Sequence, residues 1–225
     1  RSGEIICSHV GLFHSVLSLV QSWYFTQTAA VNPIARKFPY DNELTGKLIK
    51  YIVAHEVGHT LGLRHNFASS WTCSLADIRN RDFVKKYGHT PSIMDYARFN
   101  YAAQPEDNID PEDLIPRIGE YDEFAIEWGY RQFPGMDAAA EKAALRAIAE
   151  RAKGNPALYY APMKSFGYRV NPNDLGQDKL QAALLGLENL KRISSQIEKI
   201  ADQQDREDNW VRYAELVSAF RSQYI

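Results

Sequence analysis

The stretch HEVGHTLGLRHN, residues 55–66, gathers three of the chain's six histidines into eleven positions. Neutral imidazole is the commonest side-chain ligand for a metal ion. His55 and His59 stand four residues apart, so on a helix they share a face and can aim two ring nitrogens at one ion. Glu56 follows the first of them and is placed to reach a water on the ion rather than the ion itself. A zinc ion lowers the pKa of such a water to roughly 7, and a carboxylate can then take its proton. Two histidines leave zinc short of a third protein ligand. His65 can supply it if the chain turns back sharply at about Gly62.

Two blander readings stand beside this one. A helix can carry scattered histidines with no common partner, and a zinc ion can be purely structural. Structural zinc is normally closed by four protein ligands and is rich in cysteine. Here three histidines leave one position open. The two cysteines, Cys7 and Cys73, lie outside any metal-binding spacing. They could pair with each other, but two cysteines do not make a disulfide scaffold.

The site requires a long helix, a stop and a return. Asp41 or Asn42 can cap a helix that runs to about Leu61. Leu44, Leu48, Ile52, His55 and His59 form one stripe on it, so the face that packs the core also delivers the histidines. Gly62 fits the position just past the helix end, where a left-handed residue is favourable only for glycine. Upstream, residues 4–10 (Glu4–Val10) read as a short strand and 12–30 as an amphipathic helix. Downstream, helices are expected at 75–87, 118–130, 137–153, 178–200 and 206–223, with loops at 99–117 and 154–177.

The chain has 225 residues and a formal net charge of −2, from 26 basic and 28 acidic side chains. That balance argues against a nucleic-acid partner or a polybasic membrane patch. The most apolar run, VGLFHSVLSLV, is interrupted by His14 and two serines, so no transmembrane segment is expected. The chain opens at Arg1 with no initiating Met and is expected to be part of a longer polypeptide that carries other domains.

HEVGHTLGLRH resembles the long zinc motif of the metzincin peptidases, HExxHxxGxxH. That resemblance implies a methionine-containing turn under the metal, and SIMDY at Ser92–Tyr96 fits it, with Met94 29 residues after His65. It also implies that Tyr96, two residues on, can donate a hydrogen bond to the oxyanion of a tetrahedral intermediate. The segment after the turn, about Ala97–Ala103, would wall the pocket next to the scissile bond, which makes Arg98 and Phe99 pocket candidates. HEVGHTLGLRHNFASS, PSIMDYARFNYAAQPED and IGEYDEFAIEWGYR, with the opening RSGEI and the late GLENLKRI, are similar to the Met-zincin domain of large secreted bacterial zinc metalloproteases.

The resemblance implies an α+β metzincin-like (zincin) catalytic domain, predominantly helical in this fragment. Its zinc core is expected at 1–135, with a helical C-terminal extension at 136–225 packing on it. The implied activity is that of a zinc metalloendopeptidase acting on peptide or protein substrates. Zn2+ would be held by His55, His59 and His65, with Glu56 and Tyr96 catalytic. The implied location is outside a bacterial cell or on its envelope. Only 54 residues precede His55, so any sheet would be completed from outside this chain. The alternative is a zinc-containing binding or assembly module without catalysis. A zinc hydrolase acting on a non-protein amide, such as a cell-wall peptide, is a third reading.

Other polar groups have plainer expectations. His9, His14 and His89 share no spacing with the zinc set. Asn66 could orient the turn after the third ligand by local hydrogen bonding. The acidic residues of EYDEFAIEWGY could back up the histidines or simply form a solvated helix face. The loop PEDNIDPED lacks the fixed spacing and glycine of a calcium loop.

Overall fold

The computed structural model describes residues 4–162, 167–202 and 209–223. The described residues are helical and contain no β-strand, so the β half of the α+β expectation is not confirmed among them. Residues 4–13 have no regular structure and lie exposed, Ile6 at 95%. The strand expected at Glu4–Val10 is therefore a correction. Its β-branched residues fit a pleated surface, but a strand exists only where a partner pairs with it, and no described residue does.

Helix α1 spans His14–Thr28 and buries Val20, Tyr24 and Phe25. Helix α2 spans Asn42–Thr60. The Asp41 carboxylate caps it, accepting from Leu44 N at 2.8 Å. Leu44, Leu48, Tyr51 and His55 are its buried stripe. Its end is a Schellman turn, in which Leu63 N donates to Gly58 O and Gly62 N to His59 O, both at 3.0 Å. Gly62 takes φ +88° there, as a glycine at that position should.

The single helix expected at 75–87 is two: α3, Leu75–Ile78, and α4, Arg81–Tyr87. Asn80 leaves helical geometry, and its Oδ1 accepts from Phe83 N at 3.0 Å. An Asn side chain that competes for backbone groups favours a cap over a helix interior. Helix α5 spans Glu120–Tyr130 and α6 Ala138–Glu150, the latter capped by Asp137.

The helix expected at 178–200 is also split, into α7, Lys179–Ser194, and α8, Ile197–Ala201. At the break Ser194 Oγ donates to Lys191 O and Gln196 Nε2 to Arg192 O, so side chains contest the carbonyls of the last turn. Helix α9 spans Asn209–Gln223, and the expected start at 206 lies outside the described residues.

One core joins both ends of the chain. Tyr24 and Phe25 of α1, Leu48 of α2, Met94 and Phe99 pack with Leu190 and Ile193 of α7, Ile197 of α8 and Phe220 of α9. At roughly 25 cal/mol per Å2 of apolar surface removed from water, this burial is the main term holding α2 in place. Helix α5 packs on α6. No helix among the described residues is long and apolar enough to cross a membrane. Cys7 is exposed and Cys73 buried, and both are free thiols.

Candidate metal centre

Helix α2 presents His55 and His59, and the Schellman turn brings His65 back to them. The Nε2 atoms of His59 and His65 are 3.0 Å apart, and those of His65 and His55 are 3.2 Å apart. A tetrahedral zinc ion with Zn–N near 2.0–2.1 Å separates its ligand nitrogens by about 3.3 Å. The three donor atoms therefore fit one zinc ion. This triad is the sole group of three or more His, Cys, Asp or Glu donors of that kind among the described residues.

The opposite ring nitrogens are already engaged. His55 Nδ1 donates to Ile93 O at 2.7 Å, and His59 Nδ1 to Leu63 O at 2.9 Å. Those bonds fix the ring orientation and leave each Nε2 as the ligating lone pair. Burial, followed for His65 by the two neighbouring imidazoles, lowers the pKa of His55 and of His65. The neutral form that metal binding requires is the favoured one. Glu56 is half-buried, and its charge works against those downward shifts. It follows His55 directly on α2.

The carbonyl that holds His55 is itself held. Asp122, at the third position of α5, accepts from Ile93 N at 2.7 Å, Ser92 Oγ at 2.6 Å and Gly119 N at 2.9 Å. Ser92 Oγ in turn accepts from Met94 N at 3.1 Å. The approach of α5 is close enough that a Cβ on Gly119 would sit 2.1 Å from Pro91 O. Backbone contact of that kind admits only glycine. Asp122 is thus the acidic residue of EYDEFAIEWGY that serves the site. It acts through the backbone of Ile93, not by touching a histidine. The sequence showed the cluster of acids but carried no sign of which one turns inward. Glu127 instead pairs with Arg131 and Arg151.

Met94 has no exposure, and its sulfur lies 2.4 Å from where a Cβ on Gly58 would be. Its thioether therefore packs against the backbone of α2 between the two helical histidines. The Tyr96 ring stands 4.6 Å from that of His65 and 5.5 Å from that of His55, centroid to centroid. Burial raises its pKa, so the phenol keeps its proton.

Phe99 has no exposure and packs edge-on against Tyr24 and Tyr51. It is a core residue and forms no part of a pocket surface, because a hydrophobic ring at a turn exit is most stable where it loses all its water. Arg98 remains half-exposed beside Tyr96.

Asn66 does not act locally. Its Nδ2 donates to Tyr159 O at 2.8 Å and its Oδ1 accepts from Ala161 N at 3.0 Å, tying the loop after α6 to the metal turn. His89 is buried and donates to Arg98 O at 3.0 Å. His9 and His14 lie on the exposed N-terminal side. In PEDNIDPED, Asp107 and Asp110 face Arg79 and Arg81, so arginines answer much of the acidic charge.

A three-histidine centre on the end of a long helix, closed by a glycine turn above a buried methionine, defines a zinc-binding site of the zincin type. The family model described as Met-zincin matches residues 37–224, and the chain belongs to that family. No curated protein matches the chain, and no solved structure does.

Two outcomes are expected at this site. His65→Ala should weaken zinc by more than about 100-fold, since losing even an outer hydrogen bond to a ligand costs 10–100-fold. Competition against a chelating dye reads this directly. Unchanged affinity would remove His65 from the ligand set.

Asp95 is the second case. It is 2% exposed, its Oδ2 accepts from Ser70 N at 2.6 Å, and its Oδ1 has no hydrogen-bond partner among the described residues. Burial, opposed by the Ser70 hydrogen bond, pushes its pKa up to about 7 from 3.8. A raised folded pKa means stability is greatest below about 4 and declines as pH rises towards about 7. Asp95→Asn removes that decline. The melting temperature of the variant should gain on wild type at pH 8 and lose that gain near pH 4. A difference independent of pH would contradict the assignment.

Proposed function

We propose that this chain is a zinc metalloendopeptidase that hydrolyses internal bonds of peptide or protein substrates. The observation that carries the reading is the convergence of the three Nε2 atoms, with Glu56 next to His55 on α2 and no fourth His, Cys, Asp or Glu donor in the group among the described residues. A closed structural site has no use for either feature.

Zinc, when bound, supplies the Lewis acidity that brings a coordinated water's pKa to about 7 and polarises the scissile carbonyl. His55, His59 and His65 hold it, with Ile93 O and Leu63 O fixing the first two rings. Glu56 takes the proton from the attacking water and passes it to the leaving amine, as a general base and then a general acid. Tyr96, protonated and beside His65, donates to the oxyanion as it develops. Met94 keeps α2 and the 92–96 turn in register beneath the rings.

The likeness of the motifs to a domain of secreted bacterial metalloproteases supports action outside the cell or on its envelope, within a longer polypeptide. The β-sheet of an α+β zincin would then come from that polypeptide.

The test is to incubate the zinc-loaded chain with a mixture of unfolded proteins and map new termini by mass spectrometry. A chelator-treated sample serves as the blank. New termini that need zinc support a peptidase. A chain that binds one zinc and yields none would favour the non-catalytic module.

A further inference from the structure

Arg98 is held in a way that packing alone does not call for. Its backbone is left-handed, φ 61°, a region that a long side chain enters only when its surroundings impose it. Its guanidinium Cζ lies 3.5 Å from the ring centroid of Trp23 and 5.6 Å from that of Tyr96. Nε donates to Asn173 Oδ1 at 2.8 Å, and this is the sole hydrogen bond of the head group among the described residues. Both Nη groups therefore have no hydrogen-bond partner among the described residues.

No carboxylate among the described residues answers this charge. Arg79, Arg81 and Arg117 each face an aspartate at 2.8–3.1 Å. The groups closest in effect to Arg98 are the phenols of Tyr51 and Tyr96, which are neutral. A half-buried guanidinium centred over an indole, with no Nη partner among the described residues, is the geometry that receives a carboxylate through two parallel hydrogen bonds.

Its position links it to the metal. The Tyr96 ring neighbours both groups: its centroid lies 5.6 Å from the guanidinium Cζ and 4.6 Å from the His65 ring centroid, so the two are at most about 10 Å apart. That span is covered by about three extended residues. Arg98 also lines a cavity of about 790 Å3 shared with Trp23, Tyr101 and Asn173, whose lining includes none of the three histidines.

We propose that Arg98 binds a carboxylate of the substrate, so that the site selects peptides with an acidic side chain or a free C-terminus within about three residues of the scissile bond. This rests on the peptidase reading for its location, but the binding step can be read without turnover. Trp23 and Asn173 orient the guanidinium, and the strained backbone points it past Tyr96.

The experiment uses a synthetic peptide library of fixed length, made once with amidated and once with free C-termini. It is equilibrated with immobilised, zinc-loaded Glu56→Gln chain, with and without Arg98→Gly, and retained peptides are counted by mass spectrometry. Glycine suits the left-handed backbone, so this variant removes the side chain and relieves the strain. With Arg98 present, carboxylate-bearing peptides should be retained about tenfold over their Asn or Gln counterparts. Arg98→Gly should erase that ratio, and Arg98→Lys should keep only part of it.

Enrichment in the amidated library assigns the carboxylate to Asp or Glu, and enrichment only among free C-termini assigns it to the chain end. Equal ratios with and without Arg98, or no retention at all, would overturn the proposal. Wild-type chain is then given the retained peptides. Cleavage without acidic selection keeps the peptidase and removes the carboxylate site. Selection without cleavage does the reverse.

Discussion

Glu56→Gln is expected to leave one zinc per chain and to cut turnover by roughly 10²–10⁴-fold, the range a positioned general base supplies. The substitution keeps the side chain's size and removes its ability to hold a proton. No hydrogen bond from Glu56 to a histidine is present among the described residues. The rings are fixed instead by Ile93 O and Leu63 O, so the metal should not notice the change. Metal content by mass spectrometry and turnover on an unfolded protein separate the two effects. Retained turnover would remove Glu56 from the reaction. Parallel loss of zinc would make it part of the metal's support.

Asp122→Ala is expected to have the largest effect of any substitution outside the triad. It strands three buried donors at once, Ile93 N, Ser92 Oγ and Gly119 N. Each unsatisfied group costs about 1–3 kcal/mol. Losses within one network are not additive, so the total is on the order of 3–6 kcal/mol, against about 5–15 for a whole domain. A fall in melting temperature of roughly 10–15 °C follows for a domain of this size. The same change frees the Ile93 carbonyl that fixes His55, so zinc should bind about 10–100-fold more weakly in the protein that remains folded. Asp122→Asn is the informative partner. Its oxygen can keep Ile93 N and Gly119 N, and its amide can donate to Ser92 Oγ. Most stability and affinity should therefore survive. A folded Asp122→Ala protein with unchanged zinc affinity would break the link from α5 to His55.

Glu56 and Asp122 differ in how legible they are. Glu56 could be read from its place between two helical histidines. Asp122 could not, because Glu120, Glu123 and Glu127 stand around it and all four fit an amphipathic helix equally well. Only the docking of α5 against Pro91, permitted by Gly119, turns Asp122 inward. Phe99 shows the same limit from the other side. A turn residue next to Arg98 reads as pocket wall, yet the convergence of α1 and α2 encloses it.

Whatever local physics governs could be read from the residues alone. The Asp41 cap, the period of α2, the glycine stop and the His55, Glu56, His59 and His65 spacing all act within about twenty-five residues and need no distant partner. Met94 and Tyr96 were also visible as one short turn, through the resemblance that the family match later placed on firm ground. Long-range packing settled whatever depends on a neighbour far along the chain. Whether residues 4–10 form a strand depends on a partner that no described residue provides. The break after Ile78 is set by which side chain reaches a free backbone group first. The carbonyl behind His55, the aspartate behind that carbonyl, and the open guanidinium of Arg98 come from segments tens of residues away. Side-chain type and spacing specify a ligand set, but its support is specified by packing, and packing is not periodic in sequence.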